Sequence, residues 1–231
     1  MEMREQRENW SQLYRSIIKT SPSEYVIRMF KGKYPNLELI KDSYVGKKIC
    51  DIGFGDGANL SFLETLGFDI YGVEISSNIV NQIANDFKKI GIKEIENRLK
   101  VGENRKVPFD DNYFDYLLSW NSCYYMGDYF DFETHVKEFA RILKPGGKLI
   151  FSIPKETCFI YRESEKCKGK YRIIKNDPFK VRNGIHMRCF ENKEEIESEF
   201  SCCFKDFVFG SIQDDCFGYD YHWHIGVCTK K

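Results

Sequence analysis

The sequence predicts an α/β protein built on a doubly wound, mostly parallel, seven-stranded sheet with a C-terminal antiparallel hairpin. Three observations lead there. Between residues 44 and 154, short apolar runs alternate with segments of helical periodicity, the rhythm of a parallel sheet covered by helices on both faces. One run, "FDYLLSW", is almost continuously apolar, as a strand buried on both faces should be. The last two β-rich segments, "FKDFVFG" and "YHWHIGVC", are separated by only roughly eleven residues, too few for a parallel crossover.

The elements follow in order. Residues 9–18 place Trp10, Leu13, Tyr14, Ile17 and Ile18 at helical spacing. In "SPSEYVIRMF", Ser21 reads as an N-cap, Pro22 as the first helical residue and Glu24 as the partner in a capping box. These two helices make residues 1–43 an N-terminal helical cap. The core, 44–154, opens with the strand "KKICDI". A helix with Leu60, Leu63 and Leu66 follows and stops at Gly67. "DIYGVEI" is the second strand, and Ser76 or Ser77 caps a helix carrying Ile79, Val80, Ile83, Ala84, Phe87 and Ile90. "NRLKVGE" and "FDYLLSW" are strands three and four. Val136, Phe139, Ala140 and Leu143 share one helical face, "KPGG" breaks that helix, and "KLIFSI" is the fifth strand. Residues 155–190 form a long polar insertion. Residues 191–231 complete the single domain with a helix capped by Asn192 and the two hairpin strands.

The chain has 231 residues, a length that suits one domain, and hydrophobic residues make up 42% of it, enough for a sizeable core. Thirty-five Lys and Arg balance thirty-five Asp and Glu, so bulk charge provides no reason to expect a nucleic-acid or membrane partner. The charged start "MEMREQRENW" lacks the apolar segment of a secretory signal, and no run approaches the roughly 20 apolar residues that cross a bilayer. Nine scattered cysteines include no C-x-x-C pair, which supports neither a zinc site nor a disulfide framework. Reduced thiols in a cytoplasmic protein are the expectation.

In "ICDIGFGDGANL", Asp51 and three alternate glycines, Gly53, Gly55 and Gly57, sit where the first strand turns into its helix. Ligands of open α/β sheets bind outside the carboxyl ends of the strands, and glycine there lets the backbone turn sharply and a ligand come close. Two ligand classes compete. Gly53-x-Gly55-x-x-Ala58, with Glu74 21 residues after Gly53, can be laid on the dinucleotide fingerprint. That fingerprint presents a helix N-terminus to a pyrophosphate. A carboxylate at Asp51 opposes such an anion and suits a ligand that carries an ammonium and a sulfonium.

From about Val45 to Pro154 the sequence resembles the class I methyltransferases that use S-adenosylmethionine, a Rossmann-like family. "DIGFGDG" matches the family's first motif, D-x-G-x-G-x-G. The resemblance implies that Asp51, Gly53 and Gly55 hold the methionine part of S-adenosyl-L-methionine. It implies that Glu74 of "VEIS" accepts both ribose hydroxyls while Ile75 flanks the adenine. "VGENRKVPFDDNYFDYLLS" is similar to the family's G-D-x-x-x-L-P-F-x-x-x-x-F-D stretch, which implies that Gly102, Glu103 and Asn104 fall near the adenine and its amino group, with glutamate at 103 where aspartate is usual. "RILKPGGKLIFS" is similar to the family's helix, turn and fifth strand. Ser119 and Trp120, at the end of the fourth strand, are expected beside the cofactor.

The implied reaction is an in-line displacement at the methyl carbon. The acceptor is expected near Asn121 and Ser122, with Tyr124, Tyr125 and Tyr221 as further contacts. "SWNSCYY" lacks the Asn/Asp-Pro-Pro-aromatic pattern of enzymes that methylate base amines or glutamine. Cys123 has no preceding proline of the kind found beside base-methylating nucleophiles. No cluster of carboxylates and amides reads as a metal clamp. If a histidine acts as base, the candidates are His222, at the start of the last strand and so at the carboxyl edge of the sheet, and His186. His135 opens a helix and is expected at the surface or as a cap. Trp10, Tyr14 and Arg28 are candidate contacts from the cap. The insertion holds ten Lys or Arg against four acids, with Tyr161, Tyr171 and Phe179 among them. It reads either as a lid for a phosphate-bearing acceptor, such as a nucleotide-linked sugar or RNA, or as a solvated loop. A small-molecule acceptor is the leading expectation. RNA or protein methylation and a non-catalytic cofactor-binding subunit are the alternatives, and oligomeric state is left open.

Overall fold

The structure, a computed structural model, describes residues 7–12, 21–37, 39, 43–127 and 129–231. Its strands are β1 (Lys48–Ile52), β2 (Asp69–Glu74), β3 (Leu99–Val101), β4 (Phe114–Ser119), β5 (Tyr125–Met126) and β6 (Leu143–Pro154). Then come β7 (Ser164–Lys166), β8 (Tyr171–Ile174), β9 (His186–Arg188), β10 (Phe204–Cys216) and β11 (Tyr219–Lys230). Seven of them form one sheet in the order β10-β11-β6-β4-β1-β2-β3. The pairs β3–β2–β1–β4–β6 are parallel, and β11 and β10 are added antiparallel.

This is the expected fold, and the apolar runs explain it. Leu117 and Leu118 of β4, and Leu149, Ile150 and Phe151 of β6, are wholly buried, because helices cover both faces of the sheet centre. Helix Ser77–Lys89 buries Ile79, Val80, Ile83 and Phe87, and helix Glu133–Ile142 buries Val136, Phe139 and Ile142. Asn192 caps helix Lys193–Phe200 by accepting from the Glu195 N–H at 2.9 Å.

Four details depart from the sequence reading. The cap helix runs Glu24–Lys31 with Ser23, not Ser21, at the N-cap position. The Ser23 N–H donates to Asn59 Oδ1 (3.0 Å), which ties the helix start to the glycine-turn helix and moves it along the chain. β6 starts at Leu143, so "KPGG" is an irregularity inside the strand: register slips between Phe114↔Leu143 and Tyr116↔Lys148. The hairpin strands are longer than their apolar cores and meet at Phe217-Gly218, both with positive φ (51° and 92°), the signature of a two-residue type I′ turn. The insertion is neither featureless nor a plain loop. β7, β8 and β9 join β5 in a second, four-stranded sheet, ordered β5-β9-β8-β7.

Residues 7–12 are helical, and the Ser11 hydroxyl lies 2.6 Å from that of Ser76, which docks this helix over the end of β2. The expected helical residues Leu13, Tyr14, Ile17 and Ile18 lie outside the described residues.

Candidate active site

In a sheet of this order the strand direction of travel reverses between β1 and β4, and a crevice opens outside their carboxyl ends. Its walls include Trp10, Gly53, Glu74, Ile75, Asn121 and Tyr125.

The glycine turn forms one wall. Gly53, Gly55 and Gly57 all have positive φ (74°, 54° and 76°), so the spacing of the motif is the spacing of left-handed residues in the turn. A Cβ on Gly53 would stand 2.7 Å from Ser122 Cβ, and one on Gly57 would stand 2.8 Å from Ile83 Cγ2. The Asp56 carboxylate accepts from the Ala58 N–H (3.1 Å) and satisfies one donor at the helix start.

Two carboxylates lie beneath this turn. Asp51 is 1% exposed, and neither of its carboxylate oxygens has a hydrogen-bond partner. Burial, with Glu74 and Asp56 nearby, holds its acid well above the usual carboxylate range. A carboxyl this deep and unpartnered calls for a cationic or proton-donating group from a ligand. Glu74 is prepared differently. Its Oε1 accepts from the Ile75 N–H (2.7 Å) and its Oε2 from the Gly55 N–H (3.1 Å). Burial raises its pKa, while the N–H groups of Ile75, Gly55 and Ser76 pull it back. These N–H groups hold the carboxylate in one orientation and leave acceptor capacity for a donor from a ligand.

The opposite wall comes from the loops after β3 and β4. Gly102, Glu103 and Asn104 line the crevice. Asn104 Nδ2 donates to the Ser122 carbonyl (2.9 Å), linking the two loops. Glu103 faces Arg105 (3.2 Å) and Arg7 (3.6 Å), partners the sequence did not reveal. Asn121 has a φ of 58° and is pinned there by Ser152, whose hydroxyl accepts from the Asn121 N–H and donates to Asn121 Oδ1, both at 2.8 Å. A non-glycine residue held left-handed by a buried partner is a common feature of ligand sites.

Several expected site residues are placed elsewhere. Ser119 and Trp120 are buried behind the wall; Ser119 Oγ lies 2.7 Å from Ser122 Oγ. Tyr124 is buried and stacks on Tyr125, with ring centroids 4.9 Å apart. Tyr221 packs in an aromatic cluster with Trp223 and Phe159 and is not among the lining residues. Neither is His222, whose Nδ1 is 2.9 Å from Thr157 Oγ1, nor His186, whose ring meets Phe130 in the second sheet. The expected rim position of His222 fails because β11 continues past the end of β6, carrying residues 219–222 away from β1 and β4. Arg28 pairs with Glu24 on the cap helix, away from the crevice.

His135 is not a surface residue. It is wholly buried, its Nδ1 lies 2.9 Å from the Cys123 carbonyl, and its Nε2 lies 2.5 Å from the hydroxyl of Tyr129, a crevice residue. Burial lowers its pKa to about 4, so it is neutral at pH 7. Cys123 is buried too, and desolvation pushes its thiol up to about 12, the reverse of an activated nucleophile. Among the described residues no group of His, Cys, Asp and Glu could hold a metal ion.

The crevice lies at the carboxyl edge of an open α/β sheet whose seven-strand order ends in an antiparallel hairpin, with Glu74 on its wall and the Asp51 carboxyl buried beneath the glycine turn. Residues 50–151 match the family described as "Methyltransferase domain". The chain is 31% identical over 109 residues to the demethylmenaquinone methyltransferase of a Geobacillus strain, a match covering 46% of this chain and 44% of that enzyme. The chain thus matches less than half the length of that relative. Two solved structures share the fold over nearly their full lengths. One is the PH0226 protein of Pyrococcus horikoshii (21% identity, TM-score 0.62, covering 95% of this chain and 99% of that one). The other comes from a complex of the Haloferax volcanii Trm112 methyltransferase activator with a methyltransferase (17% identity, TM-score 0.68, covering 99% and 97%).

Proposed function

We propose that this chain transfers the methyl group of S-adenosylmethionine to an O or N atom of a small-molecule acceptor. The observation that carries the reading is Asp51: a buried carboxyl with two unpartnered oxygens under a turn of three left-handed glycines. An α-ammonium supplies what that carboxyl lacks, and a ribose diol suits the capacity left on Glu74. Ile75 and Asn104 would border the base, as their place beside the crevice allows.

The bound cofactor supplies a methyl carbon made electrophilic by its sulfonium. The protein's contribution is then geometry: the glycine turn and Glu74 fix the cofactor, and the wall of Asn121, Tyr125 and Trp10 holds the acceptor in line. Histidine 222 or 186 has no part in this reading, since neither lines the crevice.

The charge of the insertion bears on the acceptor. Of its ten Lys and Arg, six are in ion pairs: Arg162 with Asp220, Lys170 with Glu195, Arg172 with Glu156, Lys175 with Glu165, Arg182 with Asp177 and Arg188 with Glu195 and Glu199. Three of those acids, Asp220, Glu195 and Glu199, lie outside the insertion and offset half of the surplus of six positive charges that suggested a nucleotide-linked sugar or RNA. This favours a small acceptor without a phosphate cluster. Calorimetry with S-adenosylhomocysteine against NAD tests the cofactor class, and transfer of labelled methyl to a panel of small hydroxyl, carboxyl and amine compounds tests the activity. Tight NAD binding, or no affinity for S-adenosylhomocysteine, would overturn the reading. Affinity without transfer to any acceptor would instead mark a non-catalytic subunit.

A further inference from the structure

Strand β9 of the insertion pairs with β5, whose Tyr125 and Met126 line the crevice, and the turn before β9 adds a built arrangement beside them. Asp177, whose side chain is wholly buried, accepts from the N–H groups of Val181 (2.9 Å) and Arg182 (3.1 Å) and so folds the turn before β9. The same carboxylate takes Arg182 Nη1 at 2.8 Å. The Arg182 side chain, only 15% exposed, then reaches across to the crevice wall. Its Nε donates to the Tyr125 hydroxyl oxygen at 2.9 Å, and its guanidinium lies 5.6 Å from the Trp10 ring centroid. Trp10 and Tyr125 both line the crevice and meet edge to face, 6.0 Å apart. An arginine serving only to pair with Asp177 would favour the two-bond fork on that carboxylate. This one divides its donors between Asp177 and a phenol.

We propose that Arg182 is a positioning residue that makes the Tyr125 hydroxyl a fixed hydrogen-bond donor to an anionic oxygen of the acceptor, a phenolate or a carboxylate. The inference rests on the methyltransferase reading and deepens it. A phenol oxygen that accepts from a guanidinium turns its own proton away from that guanidinium. The crevice thus has two electrostatic ends. Glu74 lines the cofactor side, with Asp51 buried beneath the glycine turn, while Tyr125, backed by Arg182, offers the positive end of an O–H to the acceptor.

The test uses 4-nitrophenol as probe, since its ionised form is read directly by absorbance. Protein saturated with S-adenosylhomocysteine is expected to bind the phenolate in preference to the phenol, so the bound dye ionises at a lower pH than the free dye. Tyr125→Phe should weaken phenolate binding by roughly tenfold or more, the loss expected for a hydrogen bond to a charged group. Arg182→Lys keeps a cation beside Asp177 but loses the Nε donor. It should melt as the parent does and bind S-adenosylhomocysteine as the parent does, yet lose the ionisation shift. Preferential binding of protonated dye, no dye binding, or a shift unchanged in Tyr125→Phe would each overturn the proposal. A protein that fails to bind S-adenosylhomocysteine in the preceding calorimetry refutes the methyltransferase reading itself. One that binds it without shifting the dye refutes only the role of Arg182 and Tyr125.

Discussion

Replacing Asp51 with asparagine should make the free protein more stable and the cofactor complex weaker. The side chain is 1% exposed, its two oxygens lack partners, and Glu74 and Asp56 add repulsion, so its folded acid is held well above the unfolded value. For a carboxyl raised in this way the folded state binds the proton more tightly than the unfolded chain does. Stability therefore falls as pH rises above the ordinary aspartate range, and asparagine, which never ionises, removes that penalty. Ligand binding carries the opposite sign. An ammonium favours the ionised carboxyl, so affinity for S-adenosylhomocysteine should rise with pH through the titration and binding should release a proton. Losing a hydrogen bond to a charged group costs about 1.5–3 kcal/mol, or roughly 10- to 100-fold in Kd. Thermal melting across pH without ligand checks the first half. Calorimetry in buffers of different ionisation enthalpy checks the second. An Asp51→Asn protein that melts below the parent and binds S-adenosylhomocysteine equally well, with no change in proton release, would refute this account of the crevice floor.

Four further outcomes follow from the same geometry. Glu74→Ala should weaken S-adenosylhomocysteine binding by about 1.5–3 kcal/mol, measured by calorimetry, while a variant binding like the parent would remove the diol role. Gly57→Ala forces a Cβ into a left-handed position (φ 76°) against Ile83, at a cost of about 1–2 kcal/mol from backbone strain alone, visible as a lower Tm. Cys123→Ala should leave methyl transfer intact and no adduct should appear on the parent by mass spectrometry, because the thiol is buried and its pKa is pushed up to about 12. His222→Ala should leave turnover unchanged in the labelled-methyl assay, since that ring is engaged with Thr157 outside the crevice; a large loss would return histidine to the mechanism.

Much of this protein is determined locally and can be read in one dimension. The alternation of apolar runs and helical stripes sets the parallel sheet, because side-chain periodicity decides which face can be buried. The glycine spacing at 53, 55 and 57 marks three left-handed residues, and Asp51 and Glu74 sit at strand ends where the fold must bring them under that turn. Tertiary structure alone decided the rest. β11 runs beyond β6 and removes His222 from the rim, while His135, expected at the surface, is buried against Tyr129. The basic insertion folds into a second sheet with β5, pairs Arg162 with Asp220 and Lys170 with Glu195, and leaves Arg182 at Tyr125, 57 residues distant. Pairings of that range depend on how separate elements pack, and no local pattern of residues encodes them.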